Sequence, residues 1–341
     1  MVRDKVIIIA EAGVNHNGSL EMALRLVEAA AKAGADYVKF QTFKAENLVT
    51  AQAAKAEYQQ KNTGGDDNSQ LAMLKALELS KEDFKTIERN CRDLGIGFLS
   101  TPFDFESIDF LGTIEQDFWK IPSGEITDYP YLCRIASFGQ PVVMSTGMST
   151  LDEVEAAVNV LTNCGLSLND ITLLHCTTMY PTPFEDVNLR AMETLAKLGV
   201  GAVGYSDHTP GIEVPIAAVA LGARVIEKHF TLDRSLPGPD HKASLEPDEL
   251  AAMVRSIRHI EAALGTPEKR PTRSELPNIE IARRSIVASR PIEEGEILSP
   301  DNLTVKRPAR GLSPMRWHDL FGLKADRPYA TDDPIKLPNT H

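Results

Sequence analysis

Two histidines, His208 and His229, directly follow short apolar runs of the chain and are candidate metal ligands. The first run, GAVGYSDHT at 201–209, changes abruptly from apolar residues to Ser206, Asp207 and His208. Neutral imidazole binds Mn, Fe, Co or Zn, and a site with two protein ligands leaves positions open for water and substrate. The pair indicates one shared divalent cation, provided that the fold brings the two runs side by side.

Other apolar runs end in lysines and hydroxyl side chains. These residues are Lys39, Lys120, Thr101, Ser123, Ser145 and Ser206. Together with backbone N–H groups near Gly124 and Gly147, they predict a cradle for a phosphate and a carboxylate. Carboxylates can transfer protons or orient sugar hydroxyls. The candidates for that work are Glu11, Glu125, Asp207, Glu227 and Asp240.

These side chains need a scaffold that collects the ends of many strands in one place. The chain alternates a short apolar run with an amphipathic stretch eight times, beginning with KVIIIAEAG and SLEMALRLVEAAAKAGA. Eight repeats predict a (β/α)8 TIM barrel, in which the C-terminal ends of all strands face one mouth. All eight runs end in polar residues, which predicts an active site at that mouth. An open doubly wound sheet fits less well, because no run carries GxGxxG into a helix.

The composition and the pattern of predicted elements change after Gly265. Residues 266–282 are polar and contain prolines, which is typical of a linker. Short strands and turns dominate from 283 onward, as in RSIVASRPIEEGEILSP. We expect a catalytic barrel at 1–265 and a small, separate β-rich domain at 283–341.

Composition argues against several partners. A formal net charge of −12 over 341 residues repels phosphate backbones, so nucleic acid is not an expected partner. No stretch approaches the roughly 18 apolar residues of a membrane span, and Glu11 comes too early for a secretory signal. A cytoplasmic protein with no membrane partner is expected. The cysteines show no CxxC spacing, which favours inert thiols over a disulfide or zinc site. They are Cys91, Cys133, Cys164 and Cys176.

Several longer motifs point to one enzyme family. They are IAEAGVNHNGS, VKFQTFKAENL, FLSTPFD, KIPSGE, STGM, LLHCTTMYPTPFEDVNL, GYSDHT, ALGARVIEKHFTLD and GPDHKASLEPDEL. On these motifs the chain resembles the N-acetylneuraminate (sialic acid) synthase family. The tail, VKRPARGLSP, resembles that family's C-terminal antifreeze-like (SAF) domain. The chain departs from the family at Thr177–Thr178, where many members have Asn.

The resemblance implies condensation of phosphoenolpyruvate with the open-chain aldehyde of an N-acetylated amino sugar, with release of phosphate by C–O cleavage. It implies a divalent metal on His208 and His229, usually Mn²⁺, with Mg²⁺ and Co²⁺ as alternatives. The phosphoenolpyruvate contacts it implies are Lys39, Thr101, Lys120, Ser123, Ser145, Thr178 and Ser206. The sugar contacts are Gln41, Tyr180, Asp240 and Arg307, and the catalytic carboxylates are Glu11, Glu125 and Glu227. It further implies a domain-swapped homodimer, in which the antifreeze-like domain covers the partner's barrel.

The sugar itself has three candidates. We expect N-acetylmannosamine, which makes the chain an N-acetylneuraminate synthase. The alternative is 2,4-diacetamido-2,4,6-trideoxymannose, the substrate of an N,N'-diacetyllegionaminate synthase. Residues that distinguish them are expected in the insert AQAAKAEYQQKNTGGDDNSQLAML, with Tyr58 and Gln70 as candidates. The 6-phosphate of N-acetylmannosamine is the least favoured of the three, because the insert shows no added basic cluster.

Two other functions remain open from the residues alone. The first is a Schiff-base aldolase with Lys39, Lys120 or Lys228 as nucleophile, which needs no metal and leaves a lysine that borohydride traps. The second is a carbohydrate-binding or ice-binding protein, suggested only by the tail. Polar endings on all eight runs favour an enzyme over that second function.

Overall fold

The computed structural model describes residues 5–55, 59–60 and 69–337. It divides the chain into two compact units, Met1–Gly265 and Thr266–His341. Within the described ranges, every helix is too short or too polar to cross a membrane.

The first unit is built on eight parallel strands. They are β1 (Ile7–Gly13), β2 (Tyr37–Thr42), β3 (Gly97–Pro102), β4 (Trp119–Ile121), β5 (Val142–Ser145), β6 (Ile171–His175), β7 (Ala202–Asp207) and β8 (Val225–His229). Hydrogen bonds join them in the order β3-β2-β1-β8-β7-β6-β5-β4. Strands β3 and β4 also lie in contact, which closes the sheet into a barrel. The barrel predicted from the eight repeats is confirmed.

Helices follow the strands along the chain, and most of them pack on the outside of the barrel. They are α1 (Leu20–Ala33), α2 (Ala45–Leu48), α3 (Gln70–Leu77), α4 (Lys81–Leu94), α5 (Phe105–Leu111), α6 (Tyr129–Ala136), α7 (Leu151–Asn163), α8 (Ala191–Ala196), α9 (Glu213–Ala220) and α10 (Pro247–Leu264). Helix α1 illustrates how the sequence sets their limits. The Ser19 hydroxyl accepts a hydrogen bond from the N–H of Met22, and Gly34 ends the helix in a left-handed conformation that favours glycine. Leu26 and Ala30 lie on its buried face.

Alternate residues of most strands pack into two different cores. Ile8 and Val38 pack with the helices in the large outer core. Ile7, Ile9 and Leu99 belong to a smaller cluster without helix residues, which fills the barrel interior. Because side chains alternate along a strand, the residues that continue the interior face at the C-terminal ends point into the barrel mouth.

The second unit contains the antiparallel pair β9 (Ser285–Ala288) and β10 (Leu303–Lys306). Its own core includes Ile286, Leu320 and Tyr329. A further helix, α11 (Leu276–Ala282), lies in the segment predicted as a linker. The Thr272 N–H and hydroxyl both donate to the Glu275 side chain just before this helix, so part of that polar segment has regular structure.

Candidate active site

A cavity of about 370 Å³ lies at the C-terminal ends of the barrel strands. Fifteen of the predicted site residues of the first unit line it. They are Glu11, Lys39, Gln41, Thr101, Lys120, Ser123, Glu125, Ser145, Thr178, Tyr180, Ser206, His208, Glu227, His229 and Asp240. Their individual roles stay predictions, but the fold brings them to one place.

Three further residues were predicted to contact or distinguish the sugar, and they lie in different parts of the chain. Gln70 lines the same cavity, whereas Tyr58 lies outside the described residues. Arg307 belongs to the second unit, where it follows β10 and is exposed. Its contact with the sugar stays a prediction.

Lys39 is held between two carboxylates. Its Nζ lies 2.7 Å from Glu11 Oε2 and 3.6 Å from Glu227 Oε2, and it donates to Thr101 Oγ1 at 2.9 Å. Burial raises the pKa of Glu11 to about 7 despite the neighbouring Lys39. Burial alone lowers the pKa of Lys39, but Glu11 and Glu227 outweigh it, so that pKa is raised. Lys39 therefore keeps its positive charge in the cavity.

Lys120 places a second cation beside Glu227. Its Nζ donates to Ser145 Oγ at 2.8 Å and lies 3.8 Å from Glu227 Oε1. Burial by itself raises the pKa of Glu227, but Lys120 and Lys39 outweigh it and lower the pKa to about 2. Ser206 donates to Glu227 Oε1 at 3.0 Å. Two lysines around one ionised glutamate concentrate positive charge at a single point of a chain whose net charge is −12.

The two predicted metal ligands lie next to each other. The ring centroids of His208 and His229 are 5.3 Å apart, and the Tyr180 ring packs 4.1 Å from that of His208. Nδ1 of His208 lies 2.6 Å from the Thr177 carbonyl, which leaves its Nε2 for a ligand. Nδ1 of His229 is buried and has no hydrogen-bond partner among the described residues.

Burial favours the neutral form of both imidazoles, the form that metal ligation requires. Burial lowers the pKa of His208 to about 4 and that of His229 well below its usual value. No group of three His, Cys, Asp or Glu ligands converges anywhere in the described part of the chain. His208 and His229 are the residues that would hold the predicted cation, which would take its remaining ligands from water and substrate.

Successive side chains of β8 lie on opposite faces of the strand, and only one face lines the cavity. Glu227 and His229 face the cavity, whereas Lys228 faces away from it and is fully buried. Lys228 Nζ donates to Asp207 Oδ2 at 2.5 Å and to the Thr209 carbonyl. Lys228 is thus unavailable as a Schiff-base nucleophile, and Asp207 is not a carboxylate of the site. Both sequence-based suggestions are wrong, because successive side chains of a strand point in opposite directions.

A hydroxyl cluster at the ends of β4 and β5 depends on a glycine. The Gly147 N–H donates to Ser123 Oγ at 3.0 Å. A Cβ atom on Gly147 would lie 2.7 Å from Thr178 Cγ2 and 2.8 Å from Ser123 Oγ, so a larger residue would push both away. Cys176 lies 3.3 Å from Ser123 Oγ and also lines the cavity, a position that the sequence analysis missed.

The insert between β2 and β3 builds an apolar wall of the cavity that the sequence analysis also missed. Helices α2 and α3 pack with β-strand ends in a separate small core. The apolar side chains that reach the cavity are Val14, Phe43, Leu48, Val49, Met73, Leu74, Leu77 and Phe103. The signal was present as Leu71, Leu74 and Leu77, which recur at helical spacing within a mostly polar segment.

Comparison with known proteins identifies the family. A model described as the NeuB family matches residues 26–269. The chain belongs to the NeuB family. A second model, the SAF domain, matches residues 283–339, which confirms the predicted antifreeze-like domain.

Relatives extend this assignment over nearly the whole chain. An N,N'-diacetyllegionaminic acid synthase of Campylobacter jejuni is 52% identical and covers 97% of this chain and 99% of its own. The enzyme of the same name from Legionella pneumophila is also 52% identical, and the match covers 92% of this chain and 89% of the Legionella enzyme. The crystal structure of an N-acetylneuraminic acid synthetase from Leptospira borgpetersenii matches with a TM-score of 0.70 and 36% identity. That match covers 81% of this NeuB family member and 90% of the solved chain.

Proposed function

We propose that this NeuB family member is a phosphoenolpyruvate-dependent N,N'-diacetyllegionaminic acid synthase. It joins phosphoenolpyruvate and water to 2,4-diacetamido-2,4,6-trideoxymannose and releases phosphate by C–O cleavage. This diacetamido sugar replaces N-acetylmannosamine, the substrate expected from the sequence, as the preferred substrate. Two relatives at 52% identity, named for the diacetyl product, support the change.

The apolar wall of the cavity is the observation that carries this choice. The trideoxy sugar has a methyl group at C6 and an acetamido group at C4, where N-acetylmannosamine has hydroxyls. Val49, Met73 and Leu74 offer such groups apolar contact, worth roughly 0.8 kcal/mol for each buried CH₂ or CH₃. A hydroxyl against the same wall loses water without gaining a partner.

The polar lining of the cavity suits phosphoenolpyruvate. Lys39 and Lys120 supply two ammonium groups for the phosphate and the carboxylate. Ser145 and Thr101, which hydrogen-bond these lysines at 2.8 and 2.9 Å, orient them in the absence of substrate. The polar side chains therefore favour binding of the anion, and the apolar wall favours binding of the sugar.

The chain's own carboxylates act on the phosphoenolpyruvate. Its C3 attacks the sugar aldehyde, and the positive charge that develops at C2 is stabilised by the ionised Glu227. Water adds at C2 and loses a proton to Glu11, to which Gln41 donates at 3.3 Å, and a proton is returned to the alkoxide formed from the aldehyde oxygen. The resulting tetrahedral centre expels phosphate and leaves a ketone. A divalent cation on His208 and His229 would supply polarisation of the aldehyde when bound.

Phosphate release measured with each sugar tests the proposal. We expect kcat/KM for the diacetamido sugar to exceed that for N-acetylmannosamine by roughly ten- to a hundredfold, the scale of discrimination by apolar contacts. A preference for N-acetylmannosamine would refute the substrate assignment and leave the reaction intact. A borohydride-trapped lysine without phosphate release would refute the reaction and favour the Schiff-base aldolase.

A further inference from the structure

Two cysteines that are distant in sequence meet on the outside of the barrel. Cys133 lies in α6 and Cys164 forms the C-terminal cap of α7. Their Sγ atoms are 2.7 Å apart, although 31 positions separate them along the chain. An S–S bond is about 2.05 Å long, so the two sulfurs are nearer to bonding distance than non-bonded sulfur atoms pack.

We propose that Cys133 and Cys164 form an oxidisable thiol pair, a modification site separate from the catalytic cavity. A low-molecular-weight disulfide such as glutathione disulfide converts the pair to an intrachain disulfide. Neither residue lines the cavity, so the site is independent of the proposed function.

The fold holds the pair in place from both sides. Helices α6 and α7 pack against each other, and Leu132 and Leu161 beside the two cysteines are buried in the barrel's outer core. Both cysteines are themselves only half-buried. The pair is therefore positioned by packing and still open to a reagent from solvent.

The other two cysteines behave differently. Cys91 and Cys176 are buried, and burial raises the pKa of Cys91 to about 12. A thiol needs its thiolate form to react, so these two stay inert under conditions that oxidise an accessible pair. The hydrogen bond between Cys133 and Cys164 raises the pKa of Cys164, so oxidation of the pair should be faster at alkaline pH.

Oxidation of the pair is a two-step exchange. The thiolate of one cysteine attacks a sulfur of glutathione disulfide, the S–S bond of the oxidant breaks, and one glutathione thiolate leaves. The thiolate of the second cysteine attacks the resulting mixed disulfide and displaces the second glutathione. The pair loses two electrons and two protons, and two molecules of reduced glutathione carry them.

The new bond would tie the helices that follow β4 and β5. These strands carry Lys120 and Ser145, whose side chains hydrogen-bond at 2.8 Å in the cavity. A cross-link between residues 31 positions apart restricts the unfolded chain, so we expect the Tm to rise by roughly 5 °C.

Incubation of the full-length protein with excess glutathione disulfide at pH 8 tests the proposal. We expect an intact mass lower by two hydrogens, a digest that links the Cys133 and Cys164 peptides, and the rise in Tm, all reversed by dithiothreitol. The variants Cys133→Ser and Cys164→Ser should each keep one glutathione and lose the rise in Tm. Wild-type protein that keeps both thiols free, or that cross-links either of them to Cys91 or Cys176, would overturn the proposal.

Discussion

Lys39 of β2 and Glu11 of β1 form an ion pair inside the barrel mouth, with Nζ 2.7 Å from Oε2. The two residues are direct neighbours in the register of adjacent parallel strands. Their side chains are only 4% and 2% exposed, so neither can exchange its partner for bulk water. The group assigned to bind phosphoenolpyruvate is therefore also the counter-ion that allows buried carboxylates to exist there.

Replacement of Lys39 should affect stability as well as activity. Lys39→Met leaves Glu11 and Glu227 without their nearest cation, and loss of one partner of a buried pair costs about 3–5 kcal/mol. We expect a Tm lower by roughly 10 °C in thermal unfolding without substrates. The double variant Lys39→Met/Glu11→Gln should recover part of that loss.

An exposed ion pair provides the matched control. Lys81 and Glu106 lie 2.8 Å apart, with side chains 49% and 48% exposed. Surface pairs contribute about 0–1 kcal/mol, so Lys81→Met should leave the Tm nearly unchanged. Equal effects of the two lysine substitutions would contradict the role assigned to the buried pair.

Metal dependence can be tested by binding as well as by turnover. Chelation should abolish phosphate release, and added Mn²⁺ should restore it. His208→Ala should lose both turnover and Mn²⁺ binding, because one of two imidazole ligands is gone. Binding is measured in electron paramagnetic resonance titrations as the decrease in the signal of free Mn²⁺. His259→Ala, at an exposed position of α10, is the control and should bind Mn²⁺ normally. Unchanged Mn²⁺ affinity in His208→Ala would show that the ligands lie elsewhere.

The apolar wall predicts a substrate-specific defect. Met73 of α3 lines the cavity, and Met73→Gln puts an amide where we place the apolar groups of the sugar. We expect KM for the diacetamido sugar to rise roughly tenfold and KM for phosphoenolpyruvate to stay constant. Met315→Gln in the second unit, at a side chain 93% exposed, should change neither constant. A Met73→Gln variant with both constants unchanged would argue against sugar binding at this wall.

Asp240 predicts a pH dependence of stability. Burial raises its pKa from 3.8 to about 6, so the folded state binds its proton more tightly than the unfolded state does. The stabilising contribution is complete below about pH 4 and is lost as pH rises through about 6, a change of at most about 3 kcal/mol. The Tm of Asp240→Asn relative to wild type should therefore rise between pH 4 and pH 8 in metal-free buffer. A constant difference across that range would contradict the assigned burial.

Most of the site was predictable because the barrel imposes its geometry on the sequence. Once eight strands are assigned, the residues at their ends share one mouth, and Lys39, Lys120 and His208 follow without knowledge of side-chain positions. The same reasoning, extended to the alternation along a strand, would have excluded Lys228. It lies one residue from both Glu227 and His229 and therefore faces the opposite side.

Other features depend on tertiary contacts that no local pattern encodes. The insert is mostly polar, and only its packing against Val14 and Phe43 turns α3 into a cavity wall. Cys133 and Cys164 lack any recognisable spacing because they meet through the packing of two helices. Spacing rules for cysteine describe local loops and do not reach such pairs.

The most direct test of the proposed reaction follows the bridging oxygen of phosphoenolpyruvate. The purified protein would be incubated with Mn²⁺, 2,4-diacetamido-2,4,6-trideoxymannose and phosphoenolpyruvate labelled with oxygen-18 between C2 and phosphorus. We expect a diacetamido nine-carbon keto acid without the label, and inorganic phosphate that carries all of it. Unlabelled phosphate, or consumption of the sugar without phosphate release, would refute C–O cleavage of phosphoenolpyruvate by this enzyme.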